Sequence, residues 1–335
     1  MKKINNETIK LFFKKEFSKR LLSDECSKNV IDALINASLM GIDSHGVRLF
    51  RHYIDCLDSG RVKSSNNRIS LSRSKNVVTC DANHAFSHDA AQQLLNDLNN
   101  NTDEFPVQIG VILNSDHYGA SGIHGFNSKI EDKLIISFTN ADALANSPDG
   151  KSVVFGTNPL SCVFRSGEDL LYIDFATTKF SMNRVKNYRL SKEPLPNNTA
   201  RDTHGNLTND PFKAVSLEPI GSHKGFVLAF LIEILTSGLT GMDHSTSVLK
   251  MYGSDLTVHR GVSHSFIVID PKAFPGKISG VKSVIDISRS YLTDEQLQTS
   301  PGIKEMKTYA KRIKEGIPVD VSILNEWKEL GFNES

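Results

Sequence analysis

The chain of 335 residues carries 39 Lys+Arg against 38 Asp+Glu, a formal net charge of +1, and 39% of its residues are hydrophobic. At roughly 150 residues per domain this length predicts about two domains, and near-neutrality removes the usual electrostatic reason to expect nucleic acid or an anionic membrane as a partner. The longest apolar stretches, such as residues 226–235, fall short of the roughly 18 to 20 residues that cross a bilayer. Residues 1–22 mix Lys with Phe and Leu and carry Glu7 and Glu16, so no signal-peptide core is expected. Cys26, Cys56, Cys80 and Cys162 stand 24 to 82 residues apart, with no C-x-x-C pair. They read as buried or half-buried thiols of a cytoplasmic protein, not as a metal site.

Ile9, Phe12, Phe13 and Phe17 recur at i, i+3, i+4 and i+8 and predict a first helix. Val30, Ile31, Leu34, Ile35 and Leu39 predict a second, with Ser23 as N-cap and Gly41 at its stop. A third helical pattern, Val47, Leu49, Phe50, Tyr53 and Leu57, ends at Gly60. Residues 62–75 are polar and rich in Ser and Asn, which reads as a crossing between domains. Short β-like runs follow at 76–81, 107–113, 133–139, 160–164, 170–175 and 265–270, with helical patterns at 85–99 and 224–238 among them. The tail, 293–316 and 319–331, returns to amphipathic helix. The expected fold class is α/β of the mixed α+β kind. Residues 1–75 together with 281–335 are expected to form a mainly helical domain beside an α/β core over 76–280.

The densest polar cluster is Gly41-Ile42-Asp43-Ser44-His45-Gly46-Val47-Arg48, followed by Arg51 and Tyr53. If helix starts near residue 45, Arg48 and Tyr53 fall at about −60° and +80° from His45, on one broad face. A proton-transfer group, a cation and a phenol so placed could hold and protonate a small carboxylate; Arg51, about 120° away, is expected in solvent. The plainer reading is a capped loop with a surface histidine. A second cluster, residues 114–125, follows the buried-looking strand 107–113 and includes His117, Gly119, Gly122 and Gly125. Polar residues at the end of a core strand suit a ligand, and these glycines allow close backbone approach, although the spacing is not G-x-G-x-x-G. Gly156-Thr157-Asn158-Pro159 reads as a turn. The run Asp174-Phe175-Ala176-Thr177-Thr178 ends a strand and could open a helix, and Gly221-Ser222-His223-Lys224-Gly225 opens the apolar helix.

In this order the motifs resemble the type-2 malate/L-lactate dehydrogenase family. The resemblance rests on residues 41–46 with Tyr53, Asn114-Ser115 with His117 and Gly119, residues 156–159, 174–178 and 223–225, and Ile269-Asp270-Pro271. It implies a non-Rossmann NAD(P)-binding core over 76–280 with a mixed sheet, a homodimer, and hydride transfer between NAD or NADP and a small 2-oxo or 2-hydroxy acid. By that resemblance His45 is the catalytic acid/base, Ser44 orients it, and His117 sits near the transferred hydride. Arg48, Tyr53 and Thr157 would contact substrate. His117, Tyr118, Gly119, Ala120 and Ser121, then Asp174, Phe175, Ala176, Thr177 and Thr178, then His223 and Lys224 would contact cofactor.

Two departures bear on specificity. Many members place the substrate-clamping arginine four residues after the histidine, where this chain has Leu49, with Arg48 one residue earlier. The usual Arg-Gly-Lys-type run after Asp174–Thr178 is replaced by Ser181-Met182-Asn183-Arg184-Val185-Lys186. Alternatives are a cyclic imino acid reductase of the same family, a non-catalytic nucleotide-binding member, and a metal-dependent hydrolase or lyase using Asp43, His45, Asp116 and His117. The last lacks ligand spacings such as H-x-x-x-H.

Overall fold

The computed structural model describes residues 1–64 and 69–333. A short strand β1 (Lys2–Ile4) leads into α1 (Asn6–Lys19) and α2 (Asp24–Leu39). Single 3-10 turns at Asp43–His45 and Val47–Leu49 precede α3 (Phe50–Asp58). Next come β2 (Ser70–Ser74), β3 (Val77–Asp81), α4 (Ser87–Asn100), β4 (Val107–Ser115), α5 (Ile123–Ser128) and β5 (Leu134–Thr139). The central part continues with β6 (Ala145–Asn146), β7 (Val153–Phe155), β8 (Leu160–Ser166), β9 (Asp169–Phe175) and α6 (Met182–Ser191). After β10 (Ala200–Arg201), β11 (Leu207–Thr208) and β12 (Ser216–Leu217), α7 (His223–Glu233) runs into a π-helical turn at Ile234–Gly238. The chain closes with β13 (Val262–Ile269), α8 (Lys277–Ser290), α9 (Asp294–Leu297), α10 (Ile303–Glu315), β14 (Ile317–Val319) and α11 (Val321–Glu329).

A seven-stranded sheet runs in the order β2-β3-β4-β13-β5-β8-β9, and only the β3–β4 pairing is parallel. This is a mixed sheet, as expected, and not a doubly wound parallel one. Side chains alternate along β13. On one face Phe266 and Val268 pack with Leu94, Leu95 and Leu98 of α4; on the other, Ser265 donates to the carbonyl of Leu235. Helices on both faces bury the central strand.

The chain ends meet. β1 pairs antiparallel with β14, and one apolar cluster joins Ile9, Phe13 and Phe17 of α1 to Leu34 of α2, Phe50 of α3 and Trp327 of α11. The Phe13 and Phe50 rings stack at 3.6 Å, with Trp327 edge-on to Phe13 at 5.2 Å. Ser23 caps α2 by accepting from the Cys26 amide at 3.2 Å, as its position predicts.

Several expected elements need correction. Residues 62–75 are not simply a crossing, because Ser70–Ser74 pairs with β3 as an edge strand of the large sheet; residues 65–68 of that stretch lie outside the described residues. The tail helix expected at 293–316 is broken between α9 and α10 at Pro301-Gly302. Proline disfavours helix in the residue before it, and Gly302 adopts φ +90°. A Cβ there would lie 2.3 Å from the Leu170 carbonyl oxygen. The helix expected from 319 begins at Val321, because Ile317–Val319 is taken up by pairing with β1.

Candidate active site

The first polar cluster is not a helix face. Gly46 is extended, with φ −99° and ψ −146°, and it separates the two 3-10 turns; regular helix begins only at Phe50. The break follows from close packing on α2. A Cβ on Gly46 would lie 2.0 Å from Ser38 Oγ, and that oxygen accepts the Val47 amide at 3.0 Å. His45, Arg48 and Tyr53 therefore do not share a helical face.

They are arranged by tertiary contacts instead. The His45 ring faces the His117 ring, nearly parallel at 10°, with centroids 5.8 Å apart. Tyr53 Oη lies 2.8 Å from His117 Nδ1, and Ser44 Oγ lies 2.8 Å from His45 Nδ1. Asn183 of α6 donates to the Ser44 carbonyl at 3.0 Å, and Arg48 reaches Asn187 Oδ1 at 2.8 Å. Arg51 turns away from the histidines. It is half-buried rather than free in solvent, paired with Asp55 and Glu329 at 2.9 Å each.

His117 stands just beyond the end of β4. Its amide donates to Asp116 Oδ1 at 2.6 Å, and its carbonyl accepts from Ser87 Oγ at 2.6 Å. The chain then turns at Gly119, with φ +77°, where a Cβ would press on His88 Nε2 at 2.8 Å. A cavity of about 320 Å³ opens here, lined among others by His45, His117, Tyr118, Gly119 and Thr157. Its volume suits a small ligand with part of a larger one.

Burial sets the charge states. Desolvation, aided by the Arg48 charge, brings His45 down to about 4. Desolvation also takes His117 well below the ordinary histidine value, with His45 and Arg260 as further causes, and holds the Tyr53 phenol well above its own. Both imidazoles are neutral at pH 7.

The remaining expected site residues lie beside the cavity and not on it. Asp174–Thr178 does not open a helix: α6 starts at Met182, capped by Ser181. The run stays extended because its backbone is already paired, with the Thr177 amide donating to the Thr157 carbonyl at 2.9 Å and the Ile220 amide donating to the Thr177 carbonyl at 2.9 Å. Asp174 Oδ2 accepts from the Gly122 amide at 2.9 Å, and burial lifts its carboxyl to about 6. The Gly225 amide closes back onto the Ile220 carbonyl at 2.8 Å. Residues 118–122, 174–178 and 219–225 thus form one hydrogen-bonded surface next to the cavity. His223 and Lys224 stand exposed at the first turn of α7. Ala120 and Ser121 are buried, and Phe175 and Ala176 complete the extended run.

Sequence reading missed Asn140, Lys186, Tyr252 and Arg260, all of which line the cavity. Arg260 is buried, 2.6 Å from Asp142 and 3.7 Å from Asp116. A charged residue before Gly261 and directly ahead of β13 was the available signal for it; Lys186 had none beyond its place in the divergent run. Among the described residues no three His, Cys, Asp or Glu side chains converge as a metal site. Asp43 is paired with Arg312, and Asp116 lies against Arg260.

The family model for malate/L-lactate dehydrogenase matches residues 4–328. The chain is 27% identical over 311 residues to malate/(S)-sulfolactate dehydrogenase of Methanothermus fervidus, covering 92% of this chain and 91% of that protein. It is 29% identical over 246 residues to (2R)-3-sulfolactate dehydrogenase (NADP(+)) of Chromohalobacter salexigens, covering 72% and 73%. The crystal structure of malate dehydrogenase from Entamoeba histolytica superposes with a TM-score of 0.89 at 26% identity, covering 98% of this chain and 97% of that one. A match across nearly the whole chain, on a fold with two histidines facing one cavity, shows that this protein belongs to the malate/L-lactate dehydrogenase family and is an oxidoreductase of hydroxy and oxo acids.

Proposed function

We propose that this chain interconverts a small 2-oxo acid and its 2-hydroxy acid using NAD or NADP, with His45 as the proton-transfer residue. The observation that carries the reading is the pair of neutral, parallel imidazoles of His45 and His117 at one cavity wall. When bound, the nicotinamide supplies or accepts the hydride. In oxidation, neutral His45 accepts the hydroxyl proton. With Ser44 at Nδ1, Nε2 is the nitrogen left for the substrate. In reduction the protonated ring, disfavoured by burial and by Arg48, gives its proton readily to the new alkoxide. Arg48, bonded to Asn187 of α6, would serve as a carboxylate clamp, and Thr157 offers a hydroxyl to the substrate from the cavity wall.

The dinucleotide would run from Tyr118–Gly119 along the surface formed by residues 118–122, 174–178 and 219–225. The glycines of this surface are fixed by packing within the chain. A Cβ on Gly122 would lie 2.6 Å from the Tyr172 ring, and one on Gly225 would lie 2.4 Å from the Ile220 carbonyl oxygen, so both places admit only bare main chain. Lys224, exposed at the N-terminal turn of α7, suits a phosphate.

Val227, Phe230, Leu231 and Ile234 of α7 and the turn after it are each about half exposed, an apolar face that a second copy would cover in a homodimer. Sedimentation should give twice the chain mass, and F230E should return the monomer. Free thiols at Cys26, Cys56, Cys80 and Cys162 support a reducing, cytoplasmic setting.

The reaction is tested by nicotinamide absorbance across a panel of 2-oxo acids. H45A should lose about 10²- to 10⁴-fold in turnover. Saturable turnover surviving replacement of both His45 and His117 by Ala would overturn the assignment.

A further inference from the structure

Glu233, the last residue of α7, is buried behind the cavity wall and takes no part in its lining. Four neutral donors meet its carboxylate. Oε1 accepts the Ser245 amide at 2.7 Å and Ser237 Oγ at 3.1 Å; Oε2 accepts Ser245 Oγ at 2.6 Å and Asn158 Nδ2 at 2.8 Å. A buried carboxylate is costly unless donors surround it, and a hydrocarbon of similar size would fill the space at less cost. What the charge adds over a hydrocarbon is a fixed position for the groups it binds.

Those groups sit directly behind wall residues. Asn158 stands between Thr157 and Pro159, both of which line the cavity. Its backbone is left-handed, with φ +29°, a conformation uncommon outside glycine and best tolerated by Asn. Its Nδ2 also donates to the Ala229 carbonyl at 3.0 Å, so the side chain is fixed at two points of α7. Ser245 reaches a second stretch of wall. Its carbonyl accepts the Ala143 amide at 3.0 Å, and Ala143 stands between the lining residues Asp142 and Leu144. One carboxylate thus ties both stretches to the point where α7 passes into its π-helical turn. Turns of this kind recur at functional sites.

We propose, resting on the reading in which Thr157 meets the substrate, that Glu233 is a positioning residue for this reaction. It acts through Asn158, holding the left-handed turn so that Thr157 keeps its place on the wall. Glutamine, although of the same shape, cannot replace it. Its amide nitrogen would face the Ser245 amide at one end or Asn158 Nδ2 at the other, donor against donor.

The test compares E233Q, T157V and the double variant in steady-state turnover of pyruvate and of oxaloacetate, with NADH and with NADPH. E233Q should raise KM for the oxo acid about tenfold while kcat and the nucleotide KM change less than about twofold. In the T157V background the same substitution should raise that KM by less than about twofold more, although its effect on Tm persists. Hydrogen–deuterium exchange should quicken about tenfold or more in E233Q at the Ser245 amide and at the Thr177 amide, which donates to the Thr157 carbonyl. Should E233Q not fold, N158G removes the same bond, and glycine adopts the left-handed backbone freely; it should raise KM to the same degree. A variant that lowers Tm and leaves KM unchanged overturns the proposal, because the carboxylate then serves the fold alone. So do KM effects that simply multiply in the double variant, or unaltered exchange in E233Q. Absence of turnover by the unsubstituted protein would remove the proposed reaction, and the exchange measurement would still decide whether Glu233 holds the turn.

Discussion

Asp43 and Arg312 form a two-pronged ion pair, with Oδ1 2.6 Å from Nη1 and Oδ2 3.0 Å from Nη2, that ties the turn carrying His45 to a helix near the end of the chain. The same guanidinium donates to the Ser38 carbonyl at the end of α2. Geometry of this kind matches the planar fork of arginine, which lysine cannot reproduce.

R312A should therefore affect activity more than stability. The pair is half exposed on the Asp43 side, so its loss should cost about 1 kcal/mol or less, a fall in Tm of about 2 °C for a chain this size. Freed of its anchor, the turn at Asp43–His45 should misplace the imidazole and lower kcat/KM about tenfold. R312K should recover little of that. Scanning fluorimetry and steady-state kinetics separate the two effects, and unchanged kinetics would remove the anchoring role.

Y53F deletes the one hydroxyl that meets His117 Nδ1. Left buried without a partner, that nitrogen should cost about 1–3 kcal/mol, and the released ring should lower kcat by about tenfold. An imidazole NMR signal that shifts in Y53F would confirm the bond. An unmoved signal would argue that the phenol only packs against the ring.

At Gly46 even a methyl group is too large, because its position would overlap Ser38 Oγ. G46A should destabilise the fold by about 1–3 kcal/mol by urea titration. Combined with S38A, the loss should be smaller than the sum of the two single substitutions. Strict additivity would place the cause elsewhere.

Six buried or half-buried histidines make stability depend on pH. Burial holds His45, His52 and His124 at about 4, and takes His88, His117 and His264 well below their ordinary value. Below about pH 6.5 the unfolded chain binds protons that the folded one refuses, so this stabilisation is complete above that pH and is lost as pH falls toward 4. Each such group contributes up to about 1.4 kcal/mol per pH unit. Asp89, Asp116, Asp174 and Glu326, raised by burial, act in the opposite direction but are fewer. The urea midpoint should fall between pH 6.5 and 4.5. A midpoint that rises over this range would show that the carboxyls dominate.

The long periodic segments were readable because the signals for them are local. The Phe12–Phe13–Phe17 stripe, the Ser23 cap, the stop at Gly41 and the strand at 107–113 each depend on neighbours within a turn or two of chain. Errors fell where distant chain intervened. Ser70–Ser74 became a strand by pairing with β3, Ile317–Val319 by pairing with β1, and residues 174–178 stayed extended through bonds to Thr157 and Ile220.

The site divides along the same line. Residue type and order alone marked His45, His117 and Thr157, together with the family the chain belongs to. How these groups face one another came only with folding, because sequence spacing defines direction only inside one continuous element. Gly46 interrupts that element, so Tyr53 and His45 meet His117 from separate turns, Arg48 swings toward α6, and Lys186 and Arg260 arrive from segments more than a hundred residues downstream. The near-zero net charge of the whole chain likewise gave no sign of the cations collected on that one wall.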